Sequence, residues 1–237
     1  MSNNNRKELI NQVIQKQGEL KISELSDMFS DVSTMTIRRD LDQLQEEGSI
    51  VRTWGGAKSI NHLTNNESEE GHYQSRVTEN VESKIKIAEK ALKLMEPKRS
   101  IFFDSGTTIM CLAEILDDKN YSILTSGPNI ALEIIKNNRP SVNLIGGQVD
   151  RTNITVKGAN SIEFIKNINI DIAFMSTSGF SLNSGFTISI LDEMELKSKI
   201  ISKASKVIML MDSSKLGKNM TFTFAEIEDI DILVTAI

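Results

Sequence analysis

Six short apolar runs dominate the second two thirds of the chain: SIFFD (100–104), SILT (122–125), VNLIGG (142–147), DIAFM (171–175), KVIMLMD (206–212) and DILVTA (231–236). They lack the alternation of a strand with one wet face, so each predicts a strand covered on both sides. Helix-patterned stretches separate them, over about 79–95, around Cys111 and near 190–204. Such alternation is satisfied by a mostly parallel sheet layered with helices, an α/β architecture.

The first sixty residues follow another rule. Leu9, Ile10, Val13 and Ile14 recur at helical spacing, and Gly18 follows them. Ser23 is the expected N-cap of a short second helix carrying Leu25, Met28 and Phe29, and Ser33 that of a third helix running to Gly48. SIVRTWGGAKSI then places two β-prone runs around Trp54-Gly55-Gly56, a hairpin signal. Residues 61–75 are polar and aperiodic, which predicts a linker; both histidines, His62 and His72, fall there and are given no role. The expected division is 1–60, a linker 61–75, and 76–237.

Composition narrows the function. No stretch is long and apolar enough to span a bilayer, and the start MSNNNRKELINQ has no apolar signal core, so a cytoplasmic protein is expected. One cysteine excludes an intramolecular disulfide, and no Cys/His spacing suits zinc, so neither metal nor cofactor is expected. The net charge of −5 argues against a protein that coats nucleic acid indiscriminately. A local basic surface is still allowed, because salt screens each charge within ~8 Å.

One such surface lies on the third helix. At 100° per residue, Leu41 and Leu44 fall within about 40° of Ile37, while Met35 and Arg39 lie about 160–200° away. Thr36 and Arg38 flank the outward pair, and the outward carboxylates Asp42 and Glu46 come one to two turns later. Hydroxyls and arginines first, carboxylates last, suits a helix that enters a DNA major groove by its N-terminus. An arginine there can make a bidentate contact to guanine, and Met35 can pack on a thymine methyl. The plainer alternative is a solvated face whose arginines pair with Asp31 or Asp42. The short helix ahead and the glycine hairpin behind favour the groove.

VSTMTIRRDLDQLQEEGSIVRTWGGA resembles the winged helix-turn-helix of the DeoR family of bacterial transcriptional repressors. Val32, Ser33, Thr36, Ile37, Arg38, Arg39, Asp40 and Leu41 match its helix, Gly48 matches the glycine after that helix, and Arg52, Gly55, Gly56 and Ala57 match its wing. Trp54 stands where the family often has histidine. The resemblance implies DNA contacts from Ser33, Thr34, Met35, Thr36, Arg38 and Arg39, and from Arg52, Trp54, Gly55 and Gly56 of the wing. Thr34 and Met35 occupy its variable positions and are the candidates for operator choice.

In the second region, DSGTT ends a strand with Asp104, turns at Gly106 and opens a helix with Thr107 and Thr108. Free N–H groups and hydroxyls at such a turn can hold an anion, although glycine and threonine can equally serve only to cap the helix. The turn lacks the spacing and lysine of a P-loop. Asp104 can accept from sugar hydroxyls but cannot neighbour a phosphate without a cation, for which Lys215, Lys197 and Lys84 are candidates. Each lysine can also be an ordinary solvated charge; Lys215 stands out because it lies in a post-strand turn. Cys111 reads as a structural thiol, with no histidine near it in this region.

Polar turns follow other apolar strands in the same way, at TSGPN (125–129), GGQ (146–148), STSG (176–179) and DSSKLG (212–217). Their order also resembles the effector domain of the same family, whose fold is similar to ribose-5-phosphate isomerase and glucosamine-6-phosphate deaminase. The matching segments are Glu82–Ala88, Asp104–Thr108, Thr125–Gly127 (with Ser126 for the usual asparagine), Gly146–Gly147, Glu193–Lys197 and Asp212–Gly217. The resemblance implies a phosphorylated sugar or related metabolite as effector, held by Lys84, Asp104, Gly106, Thr107 and Thr108 together with Ser126, Gly147, Lys197, Asp212 and Lys215. The expected function is a carbohydrate-operon repressor that binds double-stranded operator DNA as a homo-oligomer. The alternative is a sugar-phosphate isomerase or deaminase with an N-terminal accessory domain. That alternative leaves the first sixty residues unexplained.

Overall fold

The computed structural model describes residues 3–30, 32–53, 55–59 and 73–236. The chain divides into two compact units, Met1–Ser68 and Glu69–Ile237.

The first unit has helix α1 (Asn3–Gln17), strand β1 (Glu19–Lys21), helices α2 (Ile22–Met28) and α3 (Thr34–Glu46), and strands β2 (Ile50–Thr53) and β3 (Gly56–Ser59). Ile10, Ile14, Leu25, Ile37, Leu41 and Leu44 interlock in its core, as helical spacing requires. The expected hairpin gains a third strand: β1 pairs antiparallel with β3, giving the order β1-β3-β2. Gly56 is required at that seam, since a Cβ there would meet the Leu20 carbonyl.

Ser23 is not a cap. Helix α2 begins at Ile22, and the Glu24 carboxylate reaches back to accept the Lys21 backbone N–H at 2.7 Å. A carboxylate three residues inside the helix thus closes its N-terminus, and Ser23 lies within the first turn. Of the apolar residues this helix carries, Leu25 is buried and Met28 is exposed. Ser33 does cap α3, its Oγ accepting the Thr36 N–H at 3.2 Å.

The second unit opens with helices α4 (Tyr73–Thr78) and α5 (Val81–Leu92). The expected linker is therefore too long at its far end, because Tyr73 is already helical and buried. After β4 (Ser100–Phe103) come α6 (Thr107–Glu114), β5 (Ser122–Thr125), α7 (Pro128–Ile134) and β6 (Ser141–Leu144). Next are a hairpin of β7 (Gln148–Asp150) and β8 (Thr155–Lys157), then α8 (Ala159–Ile165) and β9 (Ile170–Ser176). The remainder is β10 (Gly179–Ser181), β11 (Gly185–Ile188), α9 (Leu191–Ile201), β12 (Ala204–Leu210), β13 (Phe222–Ala225) and β14 (Ile232–Val234).

Six strands form one parallel sheet in the order β14-β12-β9-β4-β5-β6. Its strands feed two apolar clusters. Ile101, Phe103, Ile172, Phe174, Ile208 and Leu210 enter one; Phe102, Ala173, Met175, Val207 and Met209 enter the other. Burial on both faces explains the unbroken apolar runs. A small antiparallel sheet, β10-β11-β13, accompanies it and has no counterpart in the sequence expectation.

The strand order also fixes where a ligand can enter. From β4 the chain builds outward through β5 to β6, then returns to the other side of β4 for β9, β12 and β14. Connections leave β4 and β9 in opposite directions, opening a crevice at their carboxyl ends.

Candidate functional site

Two surfaces carry the expected site residues, one in each unit. On α3, Thr34, Arg38 and Arg39 are exposed and Met35 is 72% exposed, opposite the buried Ile37, Leu41 and Leu44. Among the described residues no carboxylate pairs with Arg38 or Arg39. Asp42 is engaged instead by Arg52 of β2, whose guanidinium also donates to the Arg38 carbonyl at 3.2 Å. The Arg52 backbone N–H donates to Gln45 Oε1 at 2.9 Å. Arg52 thus fastens the wing strand to α3. Ser33 and Thr36 are joined by a 2.9 Å hydroxyl contact at the helix start. Gly55 is exposed and its carbonyl accepts the Ile22 N–H at 2.8 Å, while Gly56 is buried in the strand seam. Trp54, Asp31, His62 and His72 lie outside the described residues.

In the second unit a cleft of about 360 Å³ opens over the carboxyl ends of β4, β9 and β12. Gly106, Thr107 and Thr108 bring the N-terminus of α6 to its floor, and Lys84, Asp212 and Lys215 line its walls. Gly106 has φ of +132°, and a Cβ there would stand 2.9 Å from Ser176 Oγ, so the turn needs glycine. Lys84 is 4% exposed; its ammonium donates to the Arg76 carbonyl, and burial lowers its pKa from the usual 10.5. Asp212 accepts the Ser214 N–H at 2.8 Å and faces Asn80 at 3.4 Å.

An adjoining space of about 260 Å³ shares Arg76, Gly106, Ser176 and Thr177 with the first and adds Asn153, Glu193 and Lys197. Lys197 is 3% exposed, pairs with Asp104, donates to the Ser176 carbonyl at 3.0 Å, and stands 5.3 Å from the Phe224 ring centre. The same Asp104 oxygen accepts the Ser176 N–H at 2.9 Å and its hydroxyl at 2.7 Å. Asp104 therefore lies beneath the cleft and locks the ends of β4 and β9 to Lys197.

The fold brings Lys84, Gly106, Thr107, Thr108, Lys197, Asp212 and Lys215 to these two compartments, with Asp104 below them. Ser126 and Gly147 line neither. They come after β5 and β6, on the side of β4 away from β9. There Ser126 offers its carbonyl to the Val156 N–H at 2.7 Å, and Gly147 leaves room for Ser161 Oγ, which a Cβ would strike.

Arg76 and Asn153 join the lining unannounced by any motif. Arg76 falls at the expected domain boundary, and Asn153 in a hairpin that only tertiary folding brings near. Ser176 and Thr177 belong to the polar turn STSG (176–179), where a post-strand position was the available signal. Cys111, on α6, is partly buried, and desolvation pushes its thiol up, which disfavours the thiolate. No grouping of three or more His, Cys, Asp or Glu suits a metal among the described residues, nor is any helix there long and apolar enough to cross a membrane.

Residues 6–62 match the DeoR-like helix-turn-helix domain, and residues 79–236 match the DeoR C terminal sensor domain. The HTH-type transcriptional regulator GolR of Listeria innocua is 33% identical over 231 residues, covering 97% of this chain and 89% of that protein. The HTH-type transcriptional regulator IolR of Bacillus subtilis is 34% identical over 228 residues, covering 94% and 87%. Among solved structures, ribose 5-phosphate isomerase A of Methanocaldococcus jannaschii superposes with a TM-score of 0.43 at 15% identity, over 58% of this chain and 55% of that one.

Proposed function

The chain belongs to the DeoR family of transcriptional regulators, and on that premise we propose that it represses genes of carbohydrate use, with a phosphorylated sugar or related metabolite as effector. The Thr34–Arg39 face of α3 enters the major groove of the operator, with Arg38 and Arg39 as the base-reading cations and Thr34 and Met35 setting preference. Arg52, Gly55 and Gly56 shape the wing. A homo-oligomer places two or more such heads on repeated or palindromic half-sites, so that the second contact is intramolecular.

The observation that carries the effector reading is the cleft at the β4/β9 crevice. Free N–H groups of α6, two threonine hydroxyls and the lysines Lys84 and Lys215 converge on one space. Preformed donors around a helix N-terminus favour a phosphate group. Effector binding changes operator affinity only insofar as the ligand prefers one conformation of the regulator. The isomerase or deaminase alternative finds no support among the relatives, which are named as regulators.

The test is a mobility-shift titration of the full chain on the DNA upstream of its own gene, with and without fructose 6-phosphate, ribose 5-phosphate and their unphosphorylated sugars. Specific retardation that a phosphorylated sugar alters, and its parent sugar does not, is the expected result. Absence of specific retardation, or turnover of the sugar phosphate by the protein, overturns the reading.

A further inference from the structure

Helix α4 has six residues, too few to persist on intrinsic helicity, so tertiary bonds hold it in place. At its start the Tyr73 N–H donates to the Thr152 carbonyl at 2.9 Å, and the Tyr73 hydroxyl meets Asn129 Nδ2 at 2.6 Å. At its middle the Arg76 guanidinium donates to Asn153 Oδ1 at 2.7 Å, and the Arg76 carbonyl accepts the buried Lys84 ammonium. Asn153 uses its other end to donate to Glu193 Oε1 at 2.9 Å. The Arg76 guanidinium is therefore aimed by Asn153 while Lys84 holds its backbone carbonyl, and Arg76 lines both compartments of the cleft.

We propose that Arg76 is an effector-binding residue that also transmits occupancy: a phosphorylated ligand bound in the cleft takes Arg76 as a ligand and thereby fixes α4, the point from which the chain runs back to the DNA-binding unit. The inference rests on the phosphorylated-effector reading and extends it to a residue outside the sheet's own turns. A guanidinium is suited to the task, because its planar fork bonds a phosphate on one edge while another N–H stays on Asn153. Thirteen residues, 60–72, separate β3 from α4 along the chain, so α4 is the first described element of the sensor unit after the DNA-binding one. A ligand that adds a tether to this helix alters the segment through which the two units are connected.

The experiment uses the full chain with fructose 6-phosphate, ribose 5-phosphate and inorganic phosphate as calorimetric probes, and then amide hydrogen exchange over residues 73–78 at saturation. Wild-type protein is expected to bind at least one probe and to slow exchange in α4. Arg76→Gln is expected to lose about tenfold or more in that affinity, and Arg76→Lys to recover part of it. Tyr73→Phe, which frees the other anchor away from the cleft, is expected to keep ligand affinity within about twofold while faster exchange in α4 weakens the operator response. Wild-type binding that Arg76→Gln leaves intact, or binding without any change of exchange in α4, overturns this inference and leaves the effector reading standing. Failure of the wild-type chain to bind any of the three removes both.

Discussion

Arg6 of α1 clasps Asp40 of α3, with Nε at 2.6 Å and Nη2 at 3.1 Å from the two carboxylate oxygens, and Asp40 is only 2% exposed. The carboxylate embedded in the Arg-Arg-Asp run thus faces inward while its two neighbours face solvent. Its hydrogen bonds hold the Arg6 guanidinium above its ordinary pKa. Removing the carboxylate takes two charge-assisted hydrogen bonds from a buried guanidinium, so Asp40→Ala should destabilise the N-terminal unit by roughly 2–4 kcal/mol. Thermal unfolding should show an earlier transition for that unit alone, with the sensor unit unmoved. A single unshifted transition contradicts the pairing.

Arg39→Ala should weaken operator binding by about 1–3 kcal/mol and relax the preference at one base pair, as loss of a base-contacting arginine does. Exchanging Thr34 and Met35 should instead move the preference to another base with less loss of affinity. Both are read by competition between operator variants at fixed salt. Unchanged binding in Arg39→Ala rules out the groove assignment of α3.

Arg52 and Asp42 should behave as a unit. The pair is largely solvent-exposed at Asp42, so its worth to stability is below about 1 kcal/mol. Its larger effect is on the wing's placement, and the double variant Arg52→Ala/Asp42→Ala should bind operator less weakly than the two single losses add to. Additive losses would mean that Arg52 touches DNA without help from Asp42.

Lys215→Ala should leave operator affinity unaltered and lower the response to the phosphorylated effector, since Lys215 sits in the turn after β12 and in the other unit from α3. Dose–response curves of mobility shift against effector should move to higher concentration. An identical curve removes Lys215 from the site.

Effector affinity should fall as pH rises, beginning below the ordinary lysine range. Desolvation lowers the Lys84 pKa from 10.5, so this group gives up its proton earlier than a solvated lysine, and the neutral amine has no charge to offer a phosphate. Stability runs the opposite way: with its folded pKa depressed, Lys84 costs the fold stability as pH falls and the buried amine must charge, and that cost is relieved as pH rises through the ordinary lysine range. Lys84→Met should bind the effector more weakly and flatten this limb of the pH profile. Calorimetric titrations at several pH values decide it; a limb retained in Lys84→Met assigns the proton to another group.

The sequence alone determined the local grammar. Period-3.6 spacing placed Ile37, Leu41 and Leu44 inward and Met35 and Arg39 outward, because a helix fixes direction from position alone. Unbroken apolar runs specified strands covered on both faces, which is how Phe102 and Phe103 come to enter different clusters. Gly106, Thr107, Thr108 and Lys215 stand in turns that directly follow apolar runs, a position legible without any contact.

Tertiary structure decided which of those turns meet. Strand order is a long-range property: β4 could have had either neighbour, and only its place between β5 and β9 gathers residues 106–108, 176–177 and 215 while leaving Ser126 and Gly147 aside. Pairing across distance likewise escaped the sequence. Asp42 looked available to Arg38 or Arg39 and was taken by Arg52, and Arg76 reached the cleft through Asn153, a residue 77 positions away. Periodicity encodes the direction of a side chain, whereas the identity of its partner is set by which elements the whole fold brings within a few ångströms.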